Sequence, residues 1–283
     1  MTAVAAVDHW VQARRAVEVV VPRLTALMRS VRDPAAPALG VWNVAEVATH
    51  LTQAWDVVPR LAAREPNPLG GQFHPLGHIM DLAGGTIAAV AQEPERDLQV
   101  LADRIEASAA EFLRACVTAR ADDHSPWLVE GIKVTRATFV CHLLNESVVH
   151  GYDIARPEGR PWAIERAHAT LIVLGFLFPV LQALDPRAMV DQRKAAGLRA
   201  CFEVRVRGST QRVYLVFDDG ALTVDTHRPA RRIDCHLSVD PTAFLLVAWG
   251  RTSQWGPIAK GQLTAWGRKP WLGFQFRSLL RNV

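Results

Sequence analysis

From Ala137 to Val149 the chain carries a single formally charged side chain, Glu146, in a run made mostly of Phe, Val, Leu, Cys and Ala. A surface helix of a soluble protein normally keeps one face of Lys, Arg and Glu. The pattern therefore predicts a buried helix over 133–155, its one ionisable stripe lining a cavity. At about 100° per residue that stripe holds His142, Glu146, His150 and Asp153. Helical spacing recurs at 5–31, 43–63 and 96–120. The second of these opens on Asn43 followed three residues later by Glu46, a capping-box arrangement. It gathers Val44, Val47, Ala48, Leu51 and Trp55 on one apolar arc. Between the second and third helices, Glu65 to Gly85 is rich in Pro and Gly. It is long for a bundle connection and is expected to lie over the mouth of the site.

After Arg156-Pro-Glu-Gly-Arg-Pro161 the period changes. A helix is expected at 162–184. Phe202, Val204 and Val206 then alternate with Glu203, Arg205 and Arg207, which predicts a strand. Val213–Phe217 and Ala221–Asp225 flank Asp218-Asp219-Gly220 and read as a hairpin. A third strand near Ile233–Ser238, a helix from Pro241 and short elements after Gln254 complete an α+β pattern. The expected division is 1–160 for a helical bundle and 161–283 for an α+β domain, in a chain of 283 residues, more than one core usually serves.

Composition narrows the function. The formal net charge is +4, with no long Lys/Arg run and no basic helix, so nucleic-acid binding is not expected. Arg14-Arg15 is followed by Glu18, Pro22 and Arg23 rather than by an apolar signal core. The most apolar run, Thr170 to Leu184, contains Gly175, Pro179 and Gln182 and reads as too short for a bilayer span. A soluble, cytoplasmic protein is expected. Cys116, Cys141, Cys201 and Cys235 are far apart, with no Cys-x-x-Cys, and read as buried reduced thiols.

Glu146 and His150, four apart on one helix, suit two ligands of one metal ion, or a Glu–His pair satisfying each other in a core. His142 lies eight residues, about 12 Å, from His150 and cannot share one ion with it. His9, His168 and His227 sit among charged or turn residues and are expected to be solvated. His74 and His78 have Pro75 and Gly77 between them and read as loop. His50 sits at the rim of its helix's apolar arc, where it either points into a cleft or stands half exposed.

Trp42-Asn-Val-Ala-Glu-Val-Ala-Thr-His50-Leu51 resembles the start of the metal-bearing second helix of DinB-like four-helix bundles. Asn145-Glu-Ser-Val-Val-His-Gly-Tyr-Asp-Ile-Ala-Arg156, followed by Gly159-Arg-Pro161, resembles a segment of the mycothiol-dependent maleylpyruvate isomerase family. Asp240-Pro-Thr-Ala-Phe-Leu-Leu-Val-Ala-Trp-Gly-Arg251 and Lys260-Gly-Gln-Leu-Thr-Ala-Trp-Gly267 resemble sterol carrier protein-type domains. The resemblance implies a DinB-like four-helix bundle followed by a sterol carrier protein-like α+β domain. It implies a metal, zinc above others, on His50, Glu146 and His150.

It further implies mycothiol as thiol cosubstrate. The thiol would act on a small electrophilic carbonyl or alkene substrate, by isomerisation or by S-transfer. Asp153 is a candidate to orient His150 by accepting a hydrogen bond from its ring, with a salt bridge to Arg156 as the alternative. Arg251 is the catalytic candidate for binding an acidic substrate, with capping of its own helix as the alternative. Two other functions remain open: a binding protein for a lipid or small apolar ligand with a structural metal, and a DinB-like metal hydrolase.

Overall fold

In the computed structural model, which describes residues 3–65 and 79–281, the helical unit extends to Ile164. It contains α1 (Ala3–Arg29), α2 (Val44–Ala63), α3 (Leu82–Gln92), α4 (Leu98–Ala115) and α5 (Arg136–Ala155). α1 and α2 each pack against both α4 and α5, which makes these four a bundle. The capping box at the start of α2 is formed in both directions. Asn43 Oδ1 accepts from the Glu46 amide at 2.9 Å, and Glu46 Oε2 accepts from the Asn43 amide at 2.9 Å. Two short hairpins precede the paired helices: β1 (Pro37–Leu39) with β2 (Trp42–Asn43) before α2, and β3 (His124–Pro126) with β4 (Lys133–Thr135) before α5.

α5 is the central rod. Every residue in it except Arg136 and Tyr152 is buried, as its near absence of charge requires. Trp55 from α2 lies fully buried against it and donates its indole N–H to Ser147 Oγ at 3.3 Å. Gly151 lets Trp162 lie flat on α5, since a Cβ there would meet that ring at 2.3 Å. Trp162 is held in place by its own indole N–H, given to Val148 O at 2.9 Å, and by the Arg23 guanidinium 3.9 Å over the ring.

The expected loop from Glu65 to Gly85 is only partly within the described residues, and its part at 66–78, with His74 and His78, lies outside them. Its last residues are not loop. A 3₁₀ turn at Ile79–Asp81 leads into α3, which begins at Leu82 and carries Gly84 and Gly85 inside it. Two glycines cost a helix about 2 kcal/mol against alanine. Packing on α2 opposes that cost, with Gln53 donating to Ala89 O at 2.9 Å.

The second unit runs from Glu165. α6 (Arg166–Ile172), a π turn (Val173–Leu177) and α7 (Phe178–Ala183) form one continuous helical run. At 18 residues that run is long and apolar enough to span a bilayer, unlike the shorter stretch read from sequence, yet 56% of it is buried inside the protein. It is a core helix. β5 (Arg199–Val206), β6 (Arg212–Asp218), β7 (Ala221–Asp225), β8 (Cys235–Val239) and β9 (Leu263–Trp266) form a sheet in the order β7-β6-β5-β8-β9. Only the β5–β8 pair is parallel.

The β6–β7 hairpin turns on Asp219 (φ 47°) and Gly220 (φ 77°), both left-handed, as a two-residue turn that follows the sheet's twist requires. α8 (Pro241–Ala248), α9 (Trp255–Ala259) and α10 (Leu272–Gln275) complete the unit. One sheet face is apolar, with Phe202, Val204, Leu215, Phe217 and Leu237 buried. On the other, Glu203 is buried beneath its partners, bonded to Arg205 (2.8 Å) and to His236 (2.6 Å).

Candidate metal centre

α2 and α5 cross so that His50, from the rim of one, faces Glu146 and His150, one turn apart on the other. His50 Nε2 lies 3.2 Å from Glu146 Oε2, and His150 Nε2 lies 3.4 Å from the same oxygen. The three donor atoms lie within 4.8 Å of one another. Among the described residues, no other group of three His, Cys, Asp or Glu side chains has this spacing. With zinc bonds of about 2.0–2.1 Å, the edge of a tetrahedron is about 3.3–3.4 Å. The donor set and its spacing therefore fit a divalent cation bound by two imidazoles and a carboxylate.

Two of the three donors are held by further hydrogen bonds. His150 Nδ1 is 2.9 Å from Asp153 Oδ2, so Nδ1 carries a hydrogen and Nε2 is the nitrogen turned to the centre. Arg156 points elsewhere, giving an N–H to Ala38 O. Trp127 donates its indole N–H to His142 Nδ1 at 3.4 Å. An indole can only donate, so His142 holds its hydrogen on Nε2, which faces Glu146 Oε1 at 3.3 Å. Asn145 Nδ2 donates to the same oxygen at 3.3 Å. One carboxylate oxygen is thus occupied by hydrogen bonds while the other faces His50 and His150. The His50 ring lies tilted at 30° to that of Trp42, centroids 5.3 Å apart, and meets the His150 ring edge-on.

Burial opposes charge throughout this cluster, but the charged groups offset it for one another. Burial lowers the pKa of His50 despite its bond to Glu146. At His150 burial is outweighed by Asp153 and Glu146, which raise the pKa to about 9. At Glu146 burial is outweighed by the three histidines, which hold the carboxyl well below its usual range.

The structure brings His50, Glu146, His150 and Asp153 together. His142, set aside in sequence because it is too far from His150 to share an ion, belongs to the site as the hydrogen-bond partner of Glu146. Its position four residues before Glu146 was the available signal. Trp127 lies between two short strands and carried none. His168 was expected to be solvated but is buried, because its face of α6 turns into the core; its Nε2 lies 3.5 Å from Glu165 Oε2. Arg251, in the second unit, donates to Trp249 O at 2.8 Å, at the end of its own helix. All four cysteines are free and buried. Burial pushes the Cys141 thiol up to about 12 and Cys116 and Cys235 to about 11.

Residues 17–155 match the family described as the mycothiol maleylpyruvate isomerase N-terminal domain. Residues 181–267 match the SCP-2 sterol transfer family. Among solved structures, a mycothiol-dependent maleylpyruvate isomerase is similar at 13% identity with a TM-score of 0.52, over 94% of this chain and 95% of that one. A His-to-Ala variant of the isomerase is similar at the same identity and coverage, with a TM-score of 0.55. At this identity the likeness shows a shared fold. No curated protein matches the chain.

Proposed function

We propose, for a chain that joins a mycothiol maleylpyruvate isomerase N-terminal domain to a domain of the SCP-2 sterol transfer family, a metal-dependent enzyme that uses a small thiol. The thiol is mycothiol, the metal zinc, and the substrate a small electrophilic alkene or carbonyl compound. The observation that carries this reading is the convergence of His50 Nε2, Glu146 Oε2 and His150 Nε2. Three protein ligands leave a position open, as in catalytic rather than structural sites. When bound, the ion would supply positive charge that favours the thiolate form of an incoming thiol at neutral pH.

This chain's residues do the positioning. Asp153 takes the Nδ1 side of His150 and so leaves Nε2 as the nitrogen turned to the centre, and His142 with Asn145 keeps one Glu146 oxygen turned away from it. His50 retains 18% side-chain exposure against 10% for its two partners, so it is the least covered of the three. The buried cysteines make poor nucleophiles, and the reactive sulfur must come from the cosubstrate.

For a cis-alkene conjugated to carbonyls, addition forms a carbon–sulfur bond, places a proton on the adjacent carbon and leaves a single bond free to rotate. Loss of that proton with carbon–sulfur cleavage returns the thiol and gives the trans-alkene. If the adduct is released instead, the outcome is S-transfer. Arg251 is proposed as the cation for an acidic substrate. The SCP-2 match favours one second reading, a protein that binds an apolar ligand in its α+β unit.

Turnover of a conjugated cis-alkene with mycothiol, with glutathione and with no thiol tests the proposal. Conversion is expected only with thiol, and faster with mycothiol. Conversion without thiol would contradict the thiol cosubstrate, and none under any condition would favour the ligand-binding reading.

A further inference from the structure

The strongly exposed aromatic side chains among the described residues are Trp255 (59%), Trp266 (40%), Trp271 (54%) and Phe274 (50%), all within twenty residues of one another. Three of them form a ridge. Trp271 and Phe274 are three apart at α10, where the Phe274 amide donates to Trp271 O, so they share its outer face. Trp255, on α9, stacks on Phe274 with centroids 6.1 Å apart, and Gln254 ties α9 to α10 by donating to Phe274 O at 2.8 Å. Leu272 and Phe276, on the other side of the same turns, are buried and hold the ridge to the unit.

The segment that carries the ridge has charges of one sign. From Pro241 to Val283 there are six Lys and Arg and no Asp or Glu. Residues 165–283 as a whole hold 17 Lys and Arg against 9 Asp and Glu, a formal net charge of +8, although the full chain carries only +4. Lys260, at the end of α9, is exposed. Arg268 and Lys269, just before Trp271, both face Asp234, which neutralises one of the two.

We propose that this ridge docks the protein on a membrane surface carrying anionic headgroups. The aromatic side chains would enter the interface, where Trp sits favourably with one apolar body and one polar edge, while Lys260 and its neighbours face the headgroups. A second copy docking through the same face is disfavoured by charge, since it would set this acid-free segment of six cations against its own equivalent. Single-stranded nucleic acid is disfavoured because Trp255 and Phe274 stack on each other and do not offer their inner faces to bases. The attachment is peripheral and does not depend on the metal centre.

The test is flotation of the full chain with phosphatidylcholine vesicles, with and without a minority of phosphatidylglycerol. Flotation is expected only with the anionic vesicles and should weaken as salt rises. Trp271→Ser with Phe274→Ser should lower the partition coefficient roughly tenfold or more, and Lys260→Glu should lower it with the aromatics intact. Unchanged thermal unfolding and metal content would show that these surface variants fold. Equal binding to neutral vesicles, no binding, or binding unaffected by the variants would overturn the proposal. So would a dimer that the same variants dissolve, or a preference for an oligonucleotide over vesicles.

Discussion

His142 Nε2 lies 3.3 Å from Glu146 Oε1, while His50 and His150 both approach Oε2 of the same carboxylate. The two oxygens therefore have different work. One is fixed by N–H donors within α5, and the other is left to the converging imidazoles. Trp127 sets this division by fixing the hydrogen of His142 on Nε2.

Removing that support is expected to weaken metal binding while leaving all three ligands in place. Residues that orient ligands typically matter by about 10–100-fold in affinity. His142→Ala should fall in that range and Trp127→Phe below it, because the phenyl ring fills most of the space but gives no hydrogen bond. Competition for zinc against a chromophoric chelator measures both. Affinities equal to that of the unmodified protein would deny His142 a role in orienting Glu146.

Gly151→Ala is expected to destabilise the helical unit. Alanine gains about 1 kcal/mol of helix propensity, but its Cβ would meet the Trp162 ring at 2.3 Å. That ring is held by Val148 O and Arg23 and cannot move aside freely, so an overpacking cost of about 1–3 kcal/mol should win. Urea unfolding of Gly151→Ala, Trp162→Ala and the double variant checks this. The double variant should lose less than the two singles together, and strict additivity would show that the ring is not the obstacle.

Much of this architecture was legible in the chain, for physical reasons that differ by element. Asn43 and Glu46 specify the start of α2 by local hydrogen bonds, and Asp219-Gly220 specifies a hairpin because both residues tolerate positive φ. The charge-poor run around Glu146 announced a buried helix. What could not be read depended on contacts distant in sequence. α3 forms despite Gly84 and Gly85 because α2 supports it. Glu203 alternates like a solvent-facing residue, yet Arg205 and His236 cover it. His142, Glu146, His150 and Asp153 lay on one recognisable helical stripe and His50 at the rim of another, but Trp127 reaches His142 from a short connection with no periodicity.

Acid should weaken the helical unit through Glu106. Hydrogen bonds from Arg29 and then Thr25 hold its pKa at about 2, below the usual 4.5. A carboxylate with a lowered native pKa contributes stability above its unfolded value, and that contribution fades as pH falls from 4.5 toward 2. Half exposure of the Glu106 side chain screens the effect, so a modest change is expected. Urea midpoints of the unmodified protein and Glu106→Gln should differ at neutral pH and converge toward about pH 2. A constant gap across that range would mean that the charge of Glu106 is irrelevant.

Arg251 separates two roles by kinetics. If its guanidinium only caps α8 through Trp249 O, Arg251→Ala should cost stability of about 1 kcal/mol or less and leave KM unchanged. As the cation for an acidic substrate, its loss should raise KM at least tenfold, with Arg251→Lys recovering part of the affinity. Steady-state kinetics beside a thermal melt distinguishes the two.

The metal centre itself is tested most directly by titrating the whole metal-free protein with cobalt(II) and following the visible spectrum. Tetrahedral-type bands should saturate at about one equivalent, with loss of saturable bands in a His50→Ala, His150→Ala double variant. Mycothiol added to the loaded protein should then bring sulfur-to-cobalt charge-transfer absorption, stronger than glutathione gives. Bands that persist unchanged in the double variant would contradict His50, Glu146 and His150 as the ligands, and a spectrum that no thiol perturbs would contradict thiol chemistry at this site.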